Sequence, residues 1–212
     1  MNSTGFNSFD KVFVIAEIGN NHEGDFEVAK DLIKAASSAG ADAVKFQTII
    51  PENFVSISNK SRINQLKKFQ LDPQEIKKLA EYSASKNIIF FSTPFDIQSA
   101  IFLNNLQNIF KISSGDNNFI PLINKVFQFN KPTIVSTGLA DIKSLKKVYK
   151  IWSDFNKKFE LAFLHCVSSY PVPDKEANVT AIKHLSEEFS DVKIGYSDHT
   201  LGIDACLLAV SL

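Results

Sequence analysis

The sequence predicts an α/β protein, a (β/α)8 TIM barrel of which seven β/α units are present. Three observations predict it. Short, β-rich apolar runs alternate with longer segments of helical period, a pattern that means parallel strands covered by helices. The alternation is strict and occurs seven times. In nearly every unit a polar or charged residue stands at the C-terminal end of the strand: Glu17, Lys45 and Gln47, Ser92, Lys111, Ser136, His165, then Ser197 and His199. An open doubly wound sheet gathers its ligand groups at one switch point, whereas a barrel brings every strand end to one mouth, so the barrel is favoured.

The first strand is read at Val12 to Ile18, followed by a helix over Phe26 to Ala39 with Val28, Leu32, Ala35, Ala36 and Ala39 on its apolar stripe. Gly40 stops that helix, and Ala43 to Thr48 is the second strand. The stretch Ile49 to Gln70 reads as a long polar loop, its Lys60, Arg62, Lys67 and Lys68 forming either a lid or, the plainer reading, a solvated surface. Asp72 as N-cap and Pro73 at the first helical position start a helix that runs to about Lys86. The third strand is Ile88 to Ser92, with a helix from Ile97 to Leu106; the fourth is Ile109 to Ser113, with a helix from Pro121 to Phe129. Thr133 to Ser136 precedes a helix from Ile142 to Phe155 capped by Asp141, and Leu161 to Cys166 precedes one from Asn178 to Phe189. Val192 to Tyr196 and a helix from Ile203 to Leu212 complete the seventh unit. Such barrels take about 250 residues, with about 200 near the lower limit. The 212 residues supply no eighth strand, so a truncated version of a longer protein is expected: a polar segment 1–11, then an incomplete barrel over 12–212.

With 23 basic and 23 acidic residues and 44% hydrophobic content, the chain has the profile of a folded domain able to bury a core. Zero net charge argues against a protein that coats nucleic acid or an anionic membrane. Two cysteines are too few for a disulfide framework, no run approaches the roughly 20 apolar residues of a membrane span, and the N-terminus lacks a signal peptide's apolar core. A cytoplasmic location is expected. Arg62 is the only arginine, so a bound anion would meet lysines, helix ends and hydroxyls.

Lys45 and Lys111 interrupt otherwise apolar strands, where an unpaired ammonium is strongly penalised. Each needs an anion: either an internal partner such as Glu17 or Asp116, or a phosphate or carboxylate ligand. Ser113-Ser114-Gly115 and Ser136-Thr137-Gly138 both end strands and offer N–H and O–H donors to an oxyanion. His199 follows the seventh strand and is a candidate metal ligand, with Asp198 orienting it or capping the next helix. His22 lies in the first strand-to-helix loop at the same mouth, His165 ends the sixth strand, and His184 reads as surface. Cys166 reads as a buried packing group rather than a nucleophile.

Seven segments together resemble the sialic acid synthase family, whose members condense phosphoenolpyruvate with an amino sugar. They include Ile15 to His22, Ala41 to Thr48, Phe91 to Asp96 and Lys111 to Asp116. They continue through Ile134 to Gly138, His165 to Pro171 and Gly195 to Thr200. The resemblance implies a barrel whose C-terminal mouth binds phosphoenolpyruvate, a divalent metal (Mn2+ or Mg2+) and an open-chain N-acetylated hexosamine. On that basis Lys45, Lys111, Ser114, Ser136, Ser168 and Ser197 match phosphoenolpyruvate ligands, with Ser168 standing where some members use Asn. Gln47 and Tyr170 match groups that hold the sugar, and His199 matches one of two metal-binding histidines. Glu17, Asp116, Lys45 and Lys111 are the implied catalytic set, and a homodimer is the implied assembly.

Two departures qualify the resemblance. Asp116 stands where the family usually has Glu, one methylene longer, at a position proposed to handle protons of the attacking water. The family's second metal histidine, on strand eight, and its sugar-binding arginine, in a C-terminal antifreeze-like domain, are not in this sequence. Legionaminate and pseudaminate synthases are competing readings, Gly115 arguing against the pseudaminate type, which usually has a bulky residue there. A catalytically silent domain that retains phosphoenolpyruvate binding is the reading from a different class.

Overall fold

In the computed structural model, residues 11–212 are described, so all of the polar segment 1–11 except Lys11 lies outside the described residues. They contain seven strands and nine α-helices in strict β/α order and fall into two compact units, Phe13–Phe110 and Lys111–Leu212 with residues 11–12. All the strand pairs with a defined register are parallel, as expected.

The first unit carries strands β1 (Ile15–Gly19), β2 (Ala43–Thr48) and β3 (Ile89–Pro94) in that spatial order. β1 begins three residues later than expected because pairing with β2 starts at Ile15↔Ala43, leaving Val12 and Val14 about half exposed. Helix α1 (Phe26–Ser38) starts where the Asp25 carboxylate accepts from the N–H groups of Glu27 and Val28, and Gly40 follows it with φ +83°. Its packed stripe is not the expected one: Ala29 and Ile33 are fully buried, whereas Val28 is exposed. Helix α4 (Pro73–Ser85) is closed at its start by a reciprocal capping box between Asp72 and Glu75, and α5 (Ile97–Leu103) by Asp96.

The stretch read as a loop, Ile49 to Gln70, instead folds into α2 (Pro51–Phe54) and α3 (Lys60–Phe69). Asn59 caps α3, and only Ile63 and Leu66 on it are buried, an i,i+3 pair too sparse to advertise a helix among its lysines. Gly24 is required here. Its φ is +84°, and a Cβ would lie 2.1 Å from the Lys68 carbonyl oxygen at the end of α3.

The second unit is built on the sheet β4 (Phe110–Ile112), β5 (Thr133–Ser136), β6 (Leu161–His165) and β7 (Lys193–Tyr196), in that order, with Phe110 alone assigned to the first unit. Helices α6 (Ile120–Phe127), α7 (Ile142–Asp154), α8 (Ala181–Glu188) and α9 (Asp204–Val210) follow the strands in turn. Leu122, Ile123, Val126 and Phe127 of α6 are fully buried, and Trp152 of α7 donates through Nε1 to the Phe159 carbonyl at 2.9 Å. α8 begins three residues after the expected start, since Asn178 sits at φ +45°, outside helical space. Leu207, Leu208 and Val210 of α9 are at least half exposed.

Candidate active site

In the first unit, Glu17 and Lys45 are register partners on adjacent strands, and the Lys45 ammonium lies 2.7 Å from Glu17 Oε2. Lys45 is buried and Glu17 half exposed, so the internal partner anticipated for this lysine is Glu17. The carboxylate satisfies the buried charge while keeping one edge toward solvent. Gln47, two residues on, shares Lys45's face of β2 by strand alternation. Asn20 Nδ2 donates to Gln47 Oε1 at 2.8 Å, which fixes the amide and leaves the Gln47 Nε2 hydrogens to a ligand. Thr93, the register partner of Gln47 on β3, has a buried hydroxyl with no hydrogen-bond partner. Thr93 stands with Ser92 among the polar strand ends that the sequence shows, whereas Asn20 has no signal of its own, being an amide in a polar loop.

His22 is not a group of the mouth. It is 2% exposed, its ring centroid is 5.8 Å from Phe46 on the other face of β2 from Lys45, and its Nδ1 accepts the Gly24 N–H at 3.1 Å. Burial lowers its pKa, with the Glu75 charge opposing. The unfolded chain therefore takes up a proton before the native state does, so this residue's contribution is present above about pH 6.5 and lost as pH falls through the lowered native value. In denaturant titrations, His22→Gln should flatten the fall in stability over that acidic window; an unchanged slope would contradict the buried neutral imidazole.

In the second unit, Lys111 is buried on β4, and the chain after it makes a single 3-10 turn over Ser114–Asp116. Ser113 Oγ donates to Asp116 Oδ2 at 2.5 Å. Burial raises the Asp116 pKa and the Ser113 hydrogen bond opposes the rise, so Asp116 holds its proton more readily than an ordinary aspartate. Ser114 Oγ is 3.1 Å from the thiol of Cys166, which is buried as expected. These groups converge on Gly138. A Cβ there would lie 2.5 Å from Ser168 Oγ, 2.7 Å from Ser114 Oγ and 3.0 Å from Cys166 Sγ. The close approach anticipated for both strand-end glycines occurs at Gly138 alone, since a Cβ on Gly115 would meet only Ser113 Oγ at 3.8 Å. Asn117 holds this turn, donating through Nδ2 to the carbonyls of Ser136 and Gly138 at 3.2 and 2.9 Å. Ser136 itself is buried, and Ser197 donates its N–H to the His165 carbonyl at 2.9 Å.

His199 is oriented by the Val167 carbonyl, 2.7 Å from Nδ1, and the Tyr170 ring lies 4.2 Å from its centroid. With Nδ1 donating, Nε2 carries the lone pair a metal would use, the arrangement a ligating imidazole takes. Asp198 neither orients His199 directly nor caps α9. Burial pushes the Asp198 pKa up more than any one neighbour pulls it down, but its carboxylate accepts from Thr200 N–H, Thr200 Oγ1, Tyr196 OH and Cys206 Sγ, and together these donors hold it below the usual value. Burial and this carboxylate push the Cys206 thiol up to about 11, so it stays protonated at neutral pH. His165 is structural, its Nε2 2.9 Å from the Ala177 carbonyl and its ring stacked on Tyr196, and His184 is exposed. Among the described residues no three His, Cys, Asp or Glu side chains form a group that could hold a metal.

Each unit thus presents donors at the C-terminal ends of its parallel strands: an ammonium–carboxylate pair with an oriented amide in one, and a buried lysine with a hydroxyl cluster and an imidazole in the other. A model of the NeuB family matches residues 32–212. The chain is 43% identical to an uncharacterized protein of Methanocaldococcus jannaschii, over 96% of this chain and 60% of that protein. It is 37% identical to the N,N'-diacetyllegionaminic acid synthase of Campylobacter jejuni, over 95% of this chain and 65% of the other. Among solved structures, the N-acetylneuraminic acid synthetase of Leptospira borgpetersenii superposes with a TM-score of 0.89 at 37% identity, covering 94% of this chain and 69% of that one. The chain therefore spans about 60–65% of the length of these two relatives.

Proposed function

Since the chain belongs to the NeuB family, we propose that it carries the phosphoenolpyruvate-condensing part of a sialic-acid-type synthase. The reaction joins phosphoenolpyruvate, an open-chain N-acetylated hexosamine (N-acetylmannosamine or a related sugar) and water into a nine-carbon acid and phosphate. The observation that carries this reading is the convergence of Ser114, Ser168 and Cys166 on Gly138 in the unit that also buries Lys111. Such a set suits an oxyanion: an ammonium for charge, hydroxyls for direction, and a glycine that keeps the space between them open.

In this reading Lys111 and Lys45, with Ser114, Ser136, Ser168 and Ser197, hold the phosphate and carboxylate of phosphoenolpyruvate. Gln47 and Tyr170 hold the amino sugar. The methylene carbon of phosphoenolpyruvate attacks the aldehyde carbon, the new carbon–carbon bond forms, and the aldehyde oxygen becomes a hydroxyl after gaining a proton. Water then adds to the neighbouring phosphate-bearing carbon, which the attack leaves as an oxocarbenium centre, and gives up a proton; the carbon–oxygen bond to phosphate breaks as that carbon becomes a ketone. Asp116, kept from easy ionisation by burial and steered by Ser113, is suited to exchange the proton of that water. Glu17, anchored on Lys45, is the second carboxylate available for proton transfer. A divalent metal, Mn2+ or Mg2+, would polarise the sugar aldehyde when bound. His199 Nε2 is the ligand this chain would offer it.

Purified protein supplied with phosphoenolpyruvate, Mn2+ and either N-acetylmannosamine or 2,4-diacetamido-2,4,6-trideoxymannose should release phosphate only when a sugar is present. No sugar-dependent phosphate with either would overturn the synthase reading. The second reading is a silent domain that binds phosphoenolpyruvate without turnover. That case would show saturable binding of phosphoenolpyruvate and no phosphate release.

A further inference from the structure

We infer that a cavity in the unit Phe13–Phe110 receives a neutral, acylamino- and methyl-bearing portion of the sugar and so favours a diacylated deoxy amino sugar over N-acetylmannosamine. The inference rests on the synthase reading and deepens it. The cavity measures ≈ 270 Å³ and lies beyond the ends of β1 and β2, with Asn20 and Gln47 in its wall. That is just under the roughly 300–1,000 Å³ of a site enclosing a whole small ligand, so it suits part of a sugar chain.

Its lining decides which part. None of the lining residues is an acid or a base, although exposed Lys67 and Lys68 of α3 are close by in sequence. A phosphate or carboxylate placed there would lose its hydration without a countercharge, which excludes phosphoenolpyruvate. Four of the polar residues are amides, Asn20, Gln47, Gln70 and Gln98, the side chains that pair donor for acceptor with an acetamido group. Each is already held on one side, which orients the other: Asn20 Nδ2 donates to Gln47 Oε1 at 2.8 Å, Gln70 Nε2 to the Ile49 carbonyl at 3.2 Å, and Gln98 Oε1 accepts from Asn53 Nδ2 at 3.4 Å. Leu66, Phe69 and Phe102 supply apolar wall, which gains from a methyl and leaves a sugar hydroxyl without partners. The stretch 49–70 is on this account a wall of the sugar site rather than a solvated surface, because α3 brings Leu66 and Phe69 to it.

The test titrates the protein, methyl-labelled at Ile and Leu, with the two sugars named above while binding is followed by calorimetry. The diacetamido sugar is expected to bind about tenfold tighter, two more methyl groups being buried, and to shift the methyl resonances of Leu66 and Ile76. Phe69→Ser should bring the two affinities within about twofold, the loss falling mainly on the diacetamido sugar. Ile49→Phe, which fills the cavity instead of opening it, should weaken the diacetamido sugar selectively and covers the case in which Phe69→Ser fails to fold. Equal affinities with unmoved Leu66 and Ile76 resonances would overturn the cavity assignment and leave the synthase reading standing. Absence of binding by both sugars would overturn the two together.

Discussion

Gly138→Ala is expected to lower the affinity for phosphoenolpyruvate by about two decades or more and to cost about 1–3 kcal/mol of stability. The reason is geometric. The added methyl would sit 2.5 Å from Ser168 Oγ, 2.7 Å from Ser114 Oγ and 3.0 Å from Cys166 Sγ, all shorter than or at the limit of a real carbon contact. Ser168 is exposed and can swing away; Ser114 is tied to the Cys166 thiol, and the backbone under Gly138 is pinned by Asn117. Relief therefore comes by moving the hydroxyls that would contact the anion. Each charge-assisted contact is worth roughly 1.5–3 kcal/mol, so displacing two removes about two decades or more. Titration with phosphoenolpyruvate and a thermal melt separate the two effects. A variant that melts lower yet binds normally would place the anion elsewhere.

Lys111→Ala should raise the phosphoenolpyruvate requirement by about one to two decades, on the order of 1.5–3 kcal/mol, while leaving the sugar requirement nearly unchanged. Lys111 is 5% exposed between the fully buried Phe110 and Ile112, so removing its long side chain also leaves a void. Lys111→Met keeps the volume and removes only the charge; the two variants should agree in binding and differ in stability. An unchanged requirement in the folded Met variant would end the assignment of Lys111 as an anion ligand.

How much of this was legible in the sequence depends on the kind of feature. β2 and β5 have the bounds expected from their apolar runs, and the caps at Asp72 and Asp141 are where the sequence puts them. These are local events, written in neighbouring residues. The errors are of another kind. α1 rotates its buried stripe by one residue, to Ala29 and Ile33, because the sheet it packs on selects the face and small alanines on either side cost little to expose. α3 was hidden because two buried residues, Ile63 and Leu66, fall short of a period, and its place is set by the approach of Lys68 to Gly24, 44 residues earlier. His22 read as a group of the mouth because the loop that carries it is polar, yet strand alternation puts its partner Phe46 on the face away from Lys45.

For the candidate site, the residue types at the strand ends were readable and their partners were not. A lysine in an apolar strand announces that it needs an anion, and the sequence left Glu17, Asp116 or a ligand open; the β1–β2 register chose Glu17 for Lys45. Nothing in the loop residues announced that Asn20 would hold Gln47, that Asn117 would hold Gly138, or that the Val167 carbonyl would orient His199. By itself the sequence determined the seven β/α units and which strands end in polar groups, since strand alternation and helix capping act over a few residues. Which of those groups meet was settled by the tertiary fold, since register and close packing bring together residues 21 to 52 apart, as with Asn117 and Gly138 at one extreme and Ser114 and Cys166 at the other.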